Sequence, residues 1–345
     1  MPYLLYNGLV CAKRYSYYLY QRAQPSFVLF RAGAGPPAEQ KELFMVFNYK
    51  IKDDCKKAQD FLLVSRYDNV YNKLPEEHIL KYIHKNTGRM LFTISLLPPL
   101  KPGDKVLEIG AVPYCFSTIL MESFSCEVTS IDLSQTIFPG EPYTIKKEDI
   151  EIPNSMTHKK YRITSWTCNA EKDTYPFKDN TFDIVICTEV LEHLLYSPAH
   201  VFKESRRVLK DNGLMLVSTV NSLHFKRMAD IILNENIDDV YSPLGPYGRH
   251  NRNYTRKELI KLAQDADFKI SFVSSATLRG TRFRQNAVAN TEDKIGDKPK
   301  ENKFLKKIRK LLRKTFLNLT KCIIHLPLPG MKDKRHYNIF LLLKK

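Results

Sequence analysis

Across 345 residues, no apolar run approaches the ~18 residues that a helix needs to cross a bilayer, which excludes a helical membrane-spanning protein. The seven cysteines are scattered and odd in number, with no CxxC pair among them. That pattern argues against structural zinc or a disulfide framework and predicts a reduced, cytoplasmic protein. No internal repeat is visible. Met1 to Ala38 holds no acidic residue and lacks the continuous apolar core and small-residue cleavage site of a secretory signal. Its basic, tyrosine-rich character suits either an organellar presequence or an accessory extension.

The formal net charge of +17 is unevenly placed. Residues 101–280 carry 22 basic against 24 acidic side chains, whereas residues 281–345 carry 18 against 5. A nucleic-acid enzyme more often surrounds its cleft with positive charge, so the near-neutral middle disfavours a nucleic-acid partner. Three parts follow: an extension over 1–59, a folded domain over 60–280 plus 332–345, and an insert over 281–331. Within the insert, Phe304, Ile308, Leu311, Leu312, Leu319 and Ile323 form a helical stripe beside Lys303, Lys307, Lys310 and Lys314. Residues 303–325 therefore read as an amphipathic helix, either lying on an anionic membrane surface or packing back on the domain.

Residues 60–100 read as helical, ended by Pro98 and Pro99. Strands are expected at 105–109, 127–131, 162–167, 182–187, 214–219, 268–275 and 337–343, with helices between most of them. Such alternation implies a doubly wound, largely parallel α/β sheet. Ser197-Pro198 should start a helix that Asp211-Asn-Gly213 stops, and Thr255-Arg-Lys-Glu258 has the form of a capping box opening another.

Lys105-Val-Leu-Glu-Ile-Gly-Ala-Val-Pro-Tyr114 reads as a buried strand and a tight turn opening a helix. Ser130-Ile-Asp132 places a carboxylate at the next strand's tip, where one can meet a ribose. Phe182-Asp-Ile-Val-Ile-Cys-Thr-Glu-Val-Leu-Glu-His-Leu194 and Val208-Leu-Lys-Asp-Asn-Gly-Leu-Met-Leu-Val-Ser-Thr219 resemble the fourth and fifth strands of class I S-adenosyl-L-methionine (SAM) methyltransferases. The resemblance spans about residues 100–275 and implies a Rossmann-like seven-stranded sheet whose last strand is antiparallel and inserted. It implies SAM as cofactor, with Gly110 and Ala111 at the methionine end and Glu108 and Asp132 placed to meet the adenosine ribose. Asn169, Ala170 and Glu171 would hold the adenine, bordered by Thr188 and Glu189. Val112-Pro-Tyr114 departs from the usual glycine-rich turn, and Gly-Ala-x-Pro-Tyr resembles a loop of bacterial surface-polysaccharide methyltransferases, in which Tyr114 would pack beside the cofactor.

Glu189 and His193, four apart, would share one helical face near the transferred methyl. His193 is then a general base or a helix anchor. In similar ubiquinone-pathway O-methyltransferases such a pair looks able to share a divalent metal, but two ligands assign none here. Tyr241-Ser-Pro-Leu-Gly-Pro-Tyr-Gly-Arg-His-Asn-Arg-Asn-Tyr254 resembles an acceptor loop of the same polysaccharide group. There Arg249, His250, Arg252 and Tyr254 offer polar contacts, and His250 is the alternative base. The implied reaction is SAM-dependent methyl transfer to an oxygen of a saccharide or lipid-linked small-molecule acceptor. A ubiquinone-type O-methyltransferase, an RNA-modifying enzyme and a non-catalytic scaffold of the same fold are the rival readings.

Overall fold

A computed structural model describes residues 51–65, 67, 76–133, 142–232, 245–276 and 337–345. Expectations placed on the extension before Ile51, on the insert at 281–331 and on Tyr241–Leu244 lie outside these residues.

The first strand, β1 (Lys105–Ile109), is apolar except for Lys105 and Glu108 and is buried on both faces. It pairs in parallel with β2 (Glu127–Asp132) on one side and β5 (Phe182–Thr188) on the other. Around them lie β3 (Lys147–Asn154), β4 (Lys159–Thr167), β6 (Leu209–Val220), β7 (Lys269–Ala276) and β8 (Asn338–Lys344), in the order β3-β4-β2-β1-β5-β6-β8-β7. β8 runs antiparallel to both β6 and β7. The seven expected strands are all present, with the late strand inserted as anticipated.

The sheet has an eighth strand that the sequence reading missed. β3 pairs antiparallel with β4 at the edge, Ile150 opposite Ile163 and Ile152 opposite Tyr161. Its inward residues alternate with charges, and Pro153 is tolerated because an edge strand has one unpaired side.

Two cores sandwich the sheet. On one face, α1 (Ile51–Leu63), α2 (Glu76–Ser95) and α3 (Cys115–Phe124) cover Val106, Ile163, Ile184, Leu216 and Phe340. On the other, α4 (Ala199–Val208) and α6 (Arg256–Asp265) cover Leu107, Val185, Met215 and Leu341. A further helix, α5 (Phe225–Ile232), follows β6. Helix α1 begins at Ile51, upstream of the expected domain start. Buried Asn154 ties its end to the β3–β4 hairpin, donating to the Phe61 carbonyl and to Ser65 Oγ, both at 2.8 Å.

Local signals held with small shifts. Pro198 is the residue before α4, and Ser197 Oγ accepts from the Ala199 amide at 3.3 Å. The helix ends at Val208, and Asp211-Asn-Gly213 forms an irregularity inside β6 rather than the helix stop. At α6 the capping box is complete: Thr255 Oγ1 accepts from the Glu258 amide at 3.2 Å, and the Glu258 carboxylate accepts from the Thr255 amide at 2.8 Å. Among the described residues no helix is long and apolar enough to cross a membrane. Replacing Thr255 by Ala should cost about 1 kcal/mol of unfolding free energy in urea titration; an unchanged midpoint would show that α6 does not depend on this cap.

Candidate active site

Strands β1, β2, β4, β5 and β6 are mutually parallel, so their carboxyl ends share one edge. The chain moves outward from β1 to β2 on one side and returns to β5 on the other. The β1/β5 gap is therefore the topological switch point, where a doubly wound sheet opens a crevice. Gly110 turns the chain there at φ 70°, and a Cβ at this position would lie 2.5 Å from a Val190 methyl. Glycine answers both demands.

The β1 turn closes onto β2. Asp132 Oδ2 accepts the Val112 amide at 3.1 Å, and the Asp132 carbonyl accepts the Cys168 amide at 2.9 Å. Burial raises the Asp132 carboxyl to about 6, against the lowering effect of the Val112 and Leu133 amides. Ala111 is buried beside it. Tyr114, at φ 63°, carries its ring into the hydrophobic core, 4% exposed, with its hydroxyl donated to Ser165 Oγ at 2.9 Å. The ring thus packs into the core beside the turn.

Glu108 lies beneath the same turn, buried and accepting from Ser117 Oγ. Burial lifts its carboxyl to about 8, with the Asp132 charge adding and Ser117 and Arg89 opposing. Arg89 escaped the sequence reading. It is a buried guanidinium on α2, and its signal was a lone charge beside Met90 and Leu91 in an apolar stretch. Burial works against its charge, but Glu189, Tyr82 and Glu192 more than offset that and hold it above the ordinary value.

After β5 the expected helical face does not form. Glu189 sits at φ 56°, followed only by a 3₁₀ turn over Leu191–His193. The left-handed residue sends successive carboxylates to different partners. Glu189 accepts from Ser218 Oγ at 2.8 Å and Asn338 Nδ2 at 2.9 Å, whereas Glu192 is buried and accepts from Thr219 Oγ1 at 2.7 Å. Thr188 ends β5 opposite Ser218. His193 turns away from Glu189 toward the loop at 245–254, and its Nδ1 lies 2.9 Å from the Arg249 carbonyl. A carbonyl can only accept, so Nδ1 carries the proton and Nε2 the lone pair. Burial lowers the His193 pKa, opposed by the Arg249 and Tyr247 backbone and the Glu189 charge.

His250 stands against His193, ring centroids 4.9 Å apart. Among the described residues, Glu192, His193 and His250 bring ligand-type atoms within 4.8 Å of one another. Tyr254 is buried, and its hydroxyl donates to the Leu191 carbonyl at 3.3 Å. Several polar groups expected to meet an acceptor are committed within the protein. Arg249 Nε donates to Asn251 Oδ1 at 2.9 Å, and Arg252 pairs with Glu258 at 2.8 Å.

Beyond β4, Asn169 Oδ1 accepts the Glu171 amide at 3.0 Å. Glu171 Oε2 accepts the Leu195 and Tyr196 amides at 3.0 and 2.9 Å, and Oε1 accepts the Tyr247 hydroxyl at 2.9 Å. The Ala170 carbonyl accepts from Tyr175 Oη at 3.1 Å. Glu171 thus ties the segment after β4 to Leu195, Tyr196 and Tyr247.

Residues 82–271 match the family described as a methyltransferase domain. A ubiquinone biosynthesis O-methyltransferase of Haemophilus ducreyi is 33% identical over 129 residues, covering 34% of this chain and 46% of that protein. A probable S-adenosylmethionine-dependent methyltransferase of Mycobacterium tuberculosis is 31% identical over 109 residues, covering 32% and 34%. The chain thus spans less than half the length of these curated relatives. A SAM-dependent methyltransferase structure from Archaeoglobus fulgidus aligns with a TM-score of 0.42 at 13% identity, covering 78% of this chain and 100% of that one.

The raised Glu108 carboxyl has a measurable cost. Between 4.5 and about 8 the folded protein keeps a proton that the unfolded chain releases. Raising pH through that window therefore removes stability, by at most ~1.4 kcal/mol per unit. Glu108→Gln should flatten the stability profile between pH 5 and 8 in chemical denaturation; parallel profiles for both proteins would refute the assignment.

Proposed function

The chain belongs to the methyltransferase-domain family, and on that premise we propose that it methylates a hydroxyl of a small-molecule acceptor using SAM. The acceptor class we favour is a saccharide or a lipid-linked intermediate.

The carrying observation is the pairing of two features at one strand edge: the Gly110–Asp132 turn and the tautomer-fixed His193. The residues present suit an adenosyl group. Gly110 keeps its turn free of a side chain where it packs on Val190, and the Asp132 carboxylate spends one oxygen on Val112 but retains lone pairs for ribose hydroxyls. Asn169 and the Ala170 backbone stand beside it for adenine. Arg89, a buried cation at the methionine end, suits the amino-acid carboxylate.

When bound, SAM supplies an electrophilic methyl group on a sulfonium, which departs as the thioether S-adenosylhomocysteine. The protein's part is alignment and proton removal. Nε2 of His193, kept neutral by burial, takes the acceptor hydroxyl's proton as the oxygen bonds to the methyl carbon. His250, packed against the His193 ring, borders the acceptor.

Two experiments test this. Calorimetry with S-adenosylhomocysteine should show binding that Asp132→Ala weakens by about 100-fold or more; equal affinity in the variant would remove the ribose assignment. With radiolabelled SAM and a panel of glycosides, lipid-linked sugars and catechols, transfer should favour the sugars, and His193→Ala should slow it by about 10²-fold or more. Transfer confined to catechols would move the acceptor to the quinone type, and an unaffected rate would dismiss His193 as base.

A further inference from the structure

The loop at 245–254 reaches two places at once. Toward the chemical end, Arg249 offers its carbonyl to His193 Nδ1 at 2.9 Å. Asn251 then fixes the loop from three sides: its Nδ2 lies 2.8 Å from the carbonyls of His193 and Pro246, and its backbone amide lies 2.7 Å from the Glu192 carbonyl. Toward the adenosine end, the same loop projects Tyr247. Its hydroxyl donates to Glu171 Oε1 at 2.9 Å and accepts from Asn169 Nδ2 at 3.1 Å. One oxygen therefore joins the segment after β4 to the segment that orients the base.

The 169–171 segment is anchored by further bonds besides those of Tyr247. The Asn169 amide donates to Asp173 Oδ2 at 2.7 Å, and Asp173 Oδ2 also accepts from Tyr143 Oη at 2.6 Å. Asn169 donates one N–H to Tyr247, and its side chain retains a second N–H and further acceptor capacity for a purine edge. A base seated there restricts the Asn169 side chain in the conformation that meets Tyr247.

We propose that Tyr247 is a positioning residue, whose hydroxyl transmits occupancy of the adenosine site to the loop at 245–254 and so to His193. The inference rests on the methyltransferase reading and deepens it. Cofactor binding orders the acceptor end before an acceptor arrives, and the coupling is reciprocal: a loop that cannot grip Asn169 and Glu171 weakens the cofactor.

The test needs no acceptor. Hydrogen–deuterium exchange of the intact protein, with and without S-adenosylhomocysteine, reads the loop directly, and calorimetry reads affinity. In the wild type the ligand should slow exchange of amides across 245–254, including Asn251 and Arg252. Tyr247→Phe should bind the ligand about fivefold more weakly, and the ligand-induced slowing should vanish. A loop that responds equally in both proteins overturns the proposal. So does a variant whose exchange rises by the same amount with and without ligand, which is the signature of a purely structural tyrosine. A wild-type loop indifferent to bound ligand also defeats it while leaving the cofactor assignment intact. Absence of ligand binding by the wild type would instead remove the methyltransferase reading itself.

Discussion

The crevice depends on how closely two backbone turns approach each other at the β1/β5 switch point. Val190 places a methyl where a side chain on Gly110 would begin, so the two loops meet at van der Waals range with nothing between them. That approach sets where β1 hands the chain to α3, and so where the Val112 amide meets Asp132. It also sets where β5 ends, and so how Glu189, Glu192 and His193 diverge. A bulkier residue at 110 would have to separate the loops, and every contact downstream would shift with them.

The second organising element is a set of ionisable groups placed where water is scarce. Three acidic side chains, Glu108, Glu189 and Glu192, gather near the strand tips with the buried Arg89 among them. Burial of Glu108 and Glu192 is costly unless they are hydrogen-bonded, and each of the three acids has found a partner: Ser117 for Glu108, Ser218 and Asn338 for Glu189, Thr219 for Glu192. The net result is a pre-set polar field at the mouth of an otherwise apolar sheet, the arrangement expected where a cationic, zwitterionic ligand must be oriented.

Legibility in the sequence followed the strength of local signals. β1 and β5 were readable because buried parallel strands are nearly continuous apolar runs, and α6 because its capping box is a local pattern. β3 was hidden by its own charges: Lys147, Glu148 and Asp149 look like loop, although Ile150 and Ile152 alternate inward. Glu189 and His193 were spaced as on a helix, but Glu189 adopts a left-handed conformation that no spacing argument detects. Arg89 and Tyr247 were overlooked for another reason. Their roles come from partners 76 to 100 or more residues away in the chain, Glu171 for Tyr247 and Glu189 for Arg89. Only tertiary contact reveals such pairings.

The position of β8 carries a consequence for how the molecule forms. Asn338, its first residue, supplies a hydrogen bond to Glu189, 149 residues earlier in the chain. The strand also wedges between β6 and β7 over its whole length. Until residues 338–344 have been synthesised and docked, β6 and β7 each present a raw edge, and Glu189 has Ser218 but not Asn338 as a donor. Closing so long a span is an entropic burden that slows folding more than it weakens the final state. Maturation of the crevice is accordingly a late event, with exposed strand edges vulnerable to mispairing in the interval.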